Sequence, residues 1–456
     1  MRIRRVLIAN RGEIAKRIIR TCRAQQIETV LVVSEADRGS EPARLADRVV
    51  CIGPARPSDS YLKVEAVVQA ALGTHADAIH PGYGFLSERP ALARLCEQQG
   101  VIFIGPTAAQ LEAVGDKLHA RAEAEAAAVP VVPGGAVEST AAAMALARRL
   151  GAPLLVKAVG GGGGRGMKRV DALEDLPAAM ELAASEAGAA FGDSRVYLER
   201  FVTRGRHIEV QILGDGRGGV VHLGERDCSV QRRYQKLIEE TPAPELSQAG
   251  RARLHEAAVR FTQRLSYRGA GTVEFLLDLE GDAFYFLEMN ARIQVEHPVT
   301  EAVSGVDLVA EQIAIAEGTG LRLAQSDIVL NGCAMECRIN AEDPARDFLP
   351  SPGVVSAVNW PSGPGVRVDT HIDAGSHVPP FYDSLLAKII AHAPDRAQTL
   401  AKLQRAIAAT RVEGVATNLG FQAAALADPT FQAGGVDTGF VAALLTRASA
   451  RARNRS

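Results

Sequence analysis

The periodicity of the chain changes once, near residue 114, and that change limits the available folds more than any other feature. Before it, short β-rich runs alternate with helical patterns. Arg5–Asn10, Thr29–Ser34, Ala78–His80 and Val101–Gly105 read as buried strands. Helices are expected over Glu13–Gln25 and Glu88–Gln99, the second capped by Ser87. Such alternation predicts a doubly wound, Rossmann-like parallel sheet with its ligand crevice at the carboxyl ends of the strands, where Asn10–Glu13 and His80–Gly84 fall. After residue 114 the strands come in longer, antiparallel-looking series: Leu154–Ala158, Arg195–Phe201, Ile208–Gly214, Val220–Gly224, Thr272–Leu279 and Ala283–Asn290. Within this region about 131–203 reads as a subdomain, opening at the turn cluster Pro130–Gly135 and carrying a glycine run. A third region combines the Pro/Gly-rich stretches Pro350–Gly353 and Pro361–Gly365 with a helix over Arg396–Thr410. The expected organisation is therefore α/β followed by α+β, in three domains spanning 1–114, 115–325 and 330–446. That count suits 456 residues.

The chemistry concentrates in Gly271–His297. Two strand-like runs flank Glu280-Gly281-Asp282, a hairpin turn by composition. With Gly281 near the centre, Glu274 and Glu288 face each other, and like charges directly opposite destabilise a sheet. A cation between them resolves the conflict. Carboxylate and amide oxygens, with Asn290 adding one more, suit Mg²⁺ or Mn²⁺. If the chain stays extended, Glu288, Asn290, Arg292, Gln294 and Glu296 share one face, against Met289, Ala291, Ile293 and Val295 on the other.

The glycine run Gly160–Gly164 differs from a P-loop in spacing and is flanked by strands, so by itself it fits a flexible loop as well as a flap over phosphates. Lys157, at the end of an apolar strand, favours the flap. Lys117 follows a helix, and Arg338 lies on an apolar strand that opens the third region. The charge-dense stretch Glu225–Lys236 fits either a solvated face or a site. Each alone of His80, His207 and His222 reads as structural. A net charge of -2 gives no general case for nucleic acid or an anionic membrane, and no apolar run approaches the roughly 20 residues of a membrane span. The six scattered cysteines and the lack of a signal-peptide pattern suggest a soluble cytoplasmic protein.

Taken together and in order, several motifs resemble the biotin carboxylase family of the ATP-grasp superfamily. They are Ala9–Ala15, His80–Glu88, Gly160–Gly166, Glu225–Gln231, Glu288–Thr300 and Arg338–Asp343, and the resemblance runs from residue 3 to about 445. It implies an ATP-grasp fold preceded by the Rossmann-like domain and followed by a C-terminal α+β domain. It also implies that Lys117, Lys157, Gly163, Gly164 and His207 contact ATP, with Glu199, Arg200, Phe201 and Val202 beside the adenine and Gln231 and Tyr234 near the nucleotide. Glu274, Glu288 and Asn290 would hold two Mg²⁺ or Mn²⁺ ions. Lys236, Arg292, Val295 and Arg338 would form the bicarbonate site, with Glu296 the general base and Arg338 the stabiliser of the biotin enolate. Tyr234 departs from the histidine usual there, which puts nucleotide affinity, rather than reaction class, in question.

A separate biotin carrier protein and a separate carboxyltransferase are implied as partners, because the only string near a biotinyl-lysine pattern, Met167-Lys168-Arg169, belongs to the glycine flap. A homodimer is carried over from the family. Two other readings share parts of the pattern. Another ATP-grasp ligase, acting on an amine or urea-like substrate, would not need Arg338 or the Glu296–Thr300 continuation. A non-catalytic scaffold would need no opposed carboxylates.

Overall fold

The computed structural model describes residues 2–160, 166–281 and 283–453. Strands Arg5–Ile8 (β1), Glu28–Val33 (β2), Arg48–Cys51 (β3), Ala78–His80 (β4) and Ile102–Phe103 (β5) form one parallel sheet in the order β3-β2-β1-β4-β5. The apolar runs of β1, β2 and β4 are continuous because both faces are covered, whereas β3 is an exposed edge. Leu7, Val30, Val32 and Ile79 enter one core, while Val6, Ile8, Leu31 and Val33 enter another. The order reverses at β1 and β4, where the crevice was expected. Asn10 closes it there, its Nδ2 donating to the carbonyls of Pro81 at 2.8 Å and Tyr83 at 2.7 Å. One expectation fails nearby. The helix begins at Pro90, and Ser87 does not cap it. A residue before proline disfavours helical backbone, and Arg89 accordingly sits extended at φ -95°, ψ 111°.

A second, antiparallel sheet comprises Gly134–Ala136 (β6), Leu154–Ala158 (β7), Met167–Val170 (β8) and Val196–Arg200 (β9), ordered β6-β9-β7-β8. Leu154, Val156, Val170 and Leu198 pack it onto the helices Thr140–Leu150 and Leu176–Phe191, giving it a core of its own. The glycine run connects β7 to β8. Gly163 and Gly164, both expected to touch nucleotide, lie outside the described residues.

The largest sheet holds Gly205–Asp215 (β10), Val220–Arg232 (β11), Gln235–Thr241 (β12), Arg268–Asp278 (β13), Ala283–Asn290 (β14), Cys333–Asn340 (β15), Val366–Thr370 (β16) and Leu385–Ala393 (β17). Its order is β14-β13-β10-β11-β12-β15-β17-β16. The third region therefore adds three strands to the central sheet instead of standing apart. The join is β12 to β15, with Ile238 opposite Cys337 and Glu239 opposite Glu336.

The charge-dense stretch is solvated only at its tip. It is β11, a turn at Arg233 (φ 49°) and Tyr234 (φ 65°), and β12. Positive φ at both central residues is what a two-residue type I′ hairpin turn requires. The charges of Glu225, Arg226 and Asp227 are buried, while Arg233 at the turn is exposed. Glu225 accepts hydrogen bonds from Arg251 at 2.6 Å, His255 at 2.7 Å and the Ala243 N–H at 3.1 Å, which fasten the helix Gln248–Arg264 to the sheet. Burial pushes this carboxyl up, but those partners outweigh burial and hold it at about 2. Asp227 accepts from Arg206 at 2.6 Å.

Candidate active site

The site is built on β10, β13 and β14. Glu274 is the register partner of Glu288, as the hairpin argument requires, although a bulge is needed to bring this about. Near the turn the pairing is Phe275 with Phe286, and the next pair is Glu274 with Glu288, so Leu287 is the extra residue. Without it Glu274 would face Leu287 and Glu288 would point to the other side of the sheet. The row continues sideways, because Glu274 pairs with Glu209 on β10 and Glu209 pairs with Arg226 on β11. A second row lies one step along, formed by Gln211, Thr272 and Asn290.

Beyond Asn290 the extended ribbon does not continue. The chain leaves the sheet at Ala291, turns, and enters the helix His297–Ser304 with Glu296 at its N-cap position. The alternation survives for a different reason: buried Ala291 and Ile293 anchor the loop from behind. Arg292, Gln294 and Glu296 then reach the acidic side. Arg292 donates to Glu88 at 2.9 Å, Gln294 at 2.9 Å and Asn290 at 2.8 Å. Gln294 Nε2 donates to Glu274 at 3.1 Å.

Lys236 is the hub. Its ammonium donates to Glu296 Oε1 at 2.7 Å, Glu274 Oε1 at 2.9 Å and Glu209. Arg338 closes the other side of Glu296, donating to Oε2 at 2.9 Å and to Glu239 at 2.6 Å. Burial pushes the Glu296 carboxyl up, but Lys236, Arg338 and Arg226 overcome that and hold it below the ordinary carboxylate value. Burial likewise opposes charge on Lys236, and the three acids raise its affinity for the proton well above the usual range. Glu239 has one cation and an acidic neighbour, and burial pushes it up to about 7.

The remaining expected residues divide. His207 Nε2 lies 2.9 Å from Glu274, and Lys117 lies 3.7 Å from Glu288. Lys157 is buried and donates to Glu199 at 3.1 Å, which Arg121 also contacts at 3.1 Å. Arg200 is drawn instead to Asp278 at 3.0 Å, and Phe201 packs under Arg169. Gln231 is buried opposite Lys236. Val295 is half-buried. Tyr234 is 54% exposed at its hairpin tip.

Glu209, Arg226, Glu88 and Glu239 are site residues that sequence reasoning did not single out. For Glu209 the signal was present: His207-Ile-Glu-Val-Gln211 alternates polar with apolar residues, so three polar side chains share a face with Glu274. Among the described residues His207, Glu209 and Glu274 could converge on a metal ion, but the Lys236 ammonium already lies against two of them. Glu288 differs. Its side chain is 37% exposed, so the open side for a divalent cation is the Glu274–Glu288–Asn290 edge, whose hard oxygens fit Mg²⁺ or Mn²⁺.

A buried cationic–anionic cluster on a large sheet, with a small glycine-linked sheet beside it and a doubly wound domain in front, defines an ATP-dependent ligase of ATP-grasp architecture. Three family profiles match. "Biotin carboxylase, N-terminal domain" covers 2–111, "Carbamoyl-phosphate synthase L chain, ATP binding domain" covers 116–324, and "Biotin carboxylase C-terminal domain" covers 336–443. The chain belongs to the biotin carboxylase family. It is 50% identical to the biotin carboxylase of Nostoc sp. over 97% of this chain and 99% of that protein. The Campylobacter jejuni biotin carboxylase complexed with β,γ-ATP superimposes with TM-score 0.94 at 45% identity, covering 97% of this chain and 99% of the other. The biotin carboxylase domain dimer of Hydrogenobacter thermophilus 2-oxoglutarate carboxylase, with MgADP, ADP and bicarbonate, gives TM-score 0.94 at 42% identity, covering 98% and 99%. The activity is ATP- and bicarbonate-dependent carboxylation of biotin.

Proposed function

We propose that Lys236, Arg292, Val295, Glu296 and Arg338 form the bicarbonate site and that Glu296 is its general base. The observation that carries this reading is the state of Glu296: fully buried, yet held ionised between Lys236 and Arg338. Bicarbonate is a poor nucleophile until a carboxylate accepts its proton, and an ionised, water-free carboxylate beside an anion-binding lysine can do so. The deprotonated oxygen then attacks the γ-phosphorus of ATP, breaking its bond to ADP and giving carboxyphosphate. Lys117, Lys157, His207 and Arg292 offset the phosphate charge. Glu274, Glu288 and Asn290 hold Mg²⁺ or Mn²⁺, which when bound offsets charge on the phosphate oxygens. Gly163 and Gly164 cover the phosphates and exclude water from the labile product. Glu199, Arg200, Phe201, Val202, Gln231 and Tyr234 border the nucleotide. Carboxyphosphate decomposes to CO₂ and phosphate, the phosphate takes the biotin N1 proton, and Arg338 stabilises negative charge on the ureido oxygen as N1 attacks CO₂.

The biotin is carried on a separate carrier protein, a separate carboxyltransferase uses the product, and the chain works as a homodimer in the cytoplasm. Among the described residues no helix is long and apolar enough to cross a membrane, and all six cysteines are free.

Arg338→Gln separates the two halves of this chemistry. Biotin carboxylation is expected to fall about 10²-fold or more, the loss typical of a charge-stabilising donor. Bicarbonate-dependent ATP cleavage without biotin is expected to fall at least about tenfold less, because Lys236 and Arg292 remain. Equal losses in the two assays would contradict the role given to Arg338.

A further inference from the structure

Lys388, on β17, belongs to none of the groups above, yet its side chain is fully buried beneath the site. Its Nζ donates to the Val295 carbonyl at 2.7 Å and lies 3.1 Å from Glu13 Oε1. Glu13 opens the helix Gly12–Ala24 of the first domain and also accepts a hydrogen bond from the Tyr83 hydroxyl. Within the large sheet the register partner of Lys388 is Arg338 on one side and Asp369 on the other. One ammonium thus joins the first domain, the loop 291–296 and the strand pair that carries Arg338.

We infer that Lys388 is a positioning residue that fixes the Val295–Glu296 peptide behind the bicarbonate site; the inference rests on the anion site proposed above. A peptide unit is planar, with its C=O and N–H on opposite sides. Anchoring the Val295 oxygen from behind therefore aims the Glu296 N–H away from Lys388. It also fixes the backbone from which the Glu296 carboxylate reaches Lys236 and Arg338. Because Arg338 is the cross-strand partner of Lys388, one strand pair sets the spacing between the loop and that arginine. Stability gives a weak account of the lysine, since buried ion pairs are often replaceable by apolar residues of similar volume without loss. A methionine could fill the volume, but it has no donor for the Val295 carbonyl.

The test compares Lys388→Met, the double variant Glu13→Gln/Lys388→Met and, as a reference, Arg292→Ala, by steady-state kinetics in bicarbonate and in ATP together with thermal melting. Lys388→Met is expected to raise the KM for bicarbonate about tenfold or more while the KM for ATP stays within about twofold, as displacing one reacting group predicts. The double variant removes the carboxylate that Lys388→Met leaves without its lysine. It is expected to regain Tm without regaining the bicarbonate KM, and it keeps the test usable if the single variant folds poorly. Recovery of the bicarbonate KM in the double variant would show that charge balance alone matters and would overturn the inference. So would an unchanged KM in Lys388→Met when Arg292→Ala raises it. If neither substitution moves that KM, the anion-site assignment fails and takes this inference with it.

Discussion

Glu296→Ala is expected to lower biotin-dependent ATP turnover by about 10²–10⁴-fold, the range of a lost general base. The loss should lie in kcat and in the response to bicarbonate, with nucleotide affinity little changed, because Lys117, Lys157 and His207 are untouched. The fold should persist. Lys236 keeps Glu209 and Glu274, and Arg338 keeps Glu239 at 2.6 Å, so neither cation is stranded. Steady-state kinetics at saturating bicarbonate decide the matter, and turnover within about tenfold of the wild type would refute the assignment.

Arg226→Met is expected to produce the largest loss of stability. This guanidinium is fully buried and donates to Glu209 at 2.5 Å, Gln211 at 2.7 Å, Thr300 at 2.9 Å and Thr272 at 3.2 Å. It ties β11 to β10, to β13 and to the helix that follows Glu296. Removing one member of a buried pair leaves an uncompensated charge and costs about 3–5 kcal/mol. Here Glu209 would retain only Lys236, which would be drawn from Glu296, so activity should fall with stability. Denaturant titration gives the measurement, and a loss below about 1 kcal/mol would mean that the glutamate row does not depend on this arginine.

How far the sequence could be read follows from which interactions are local. Four strands of the first sheet were legible because each is a buried apolar run in a strand–helix alternation, and such units close with short connections; the edge strand β3, with Arg48, Val49 and Cys51 exposed, gave no such signal. The facing of Glu274 and Glu288 was legible from hairpin symmetry, although the bulge at Leu287 that delivers it carries no composition signal. The path beyond Asn290 was not legible. Alternating polarity fits an extended ribbon as well as a loop anchored by Ala291 and Ile293, and burial distinguishes them only once the fold exists. The union of the third region with the central sheet was also hidden, because β12 and β15 meet across more than ninety intervening residues. The stretch Glu225–Asp227 stayed open by composition: consecutive charges usually mark solvent, but here each finds an opposite charge inside the protein. Lys388 became visible only through its neighbours, since it leaves its strand apolar in character, and Glu239, one of several polar residues on β12, only through its contact with Arg338.

Bicarbonate, rather than water, is expected to attack the terminal phosphate within the cluster around Glu296. The direct measurement supplies ¹⁸O-labelled bicarbonate with ATP and biotin and determines the isotopic composition of the released phosphate. One ¹⁸O per phosphate is expected in the wild type. Phosphate free of label, formed at the same rate, would contradict the account.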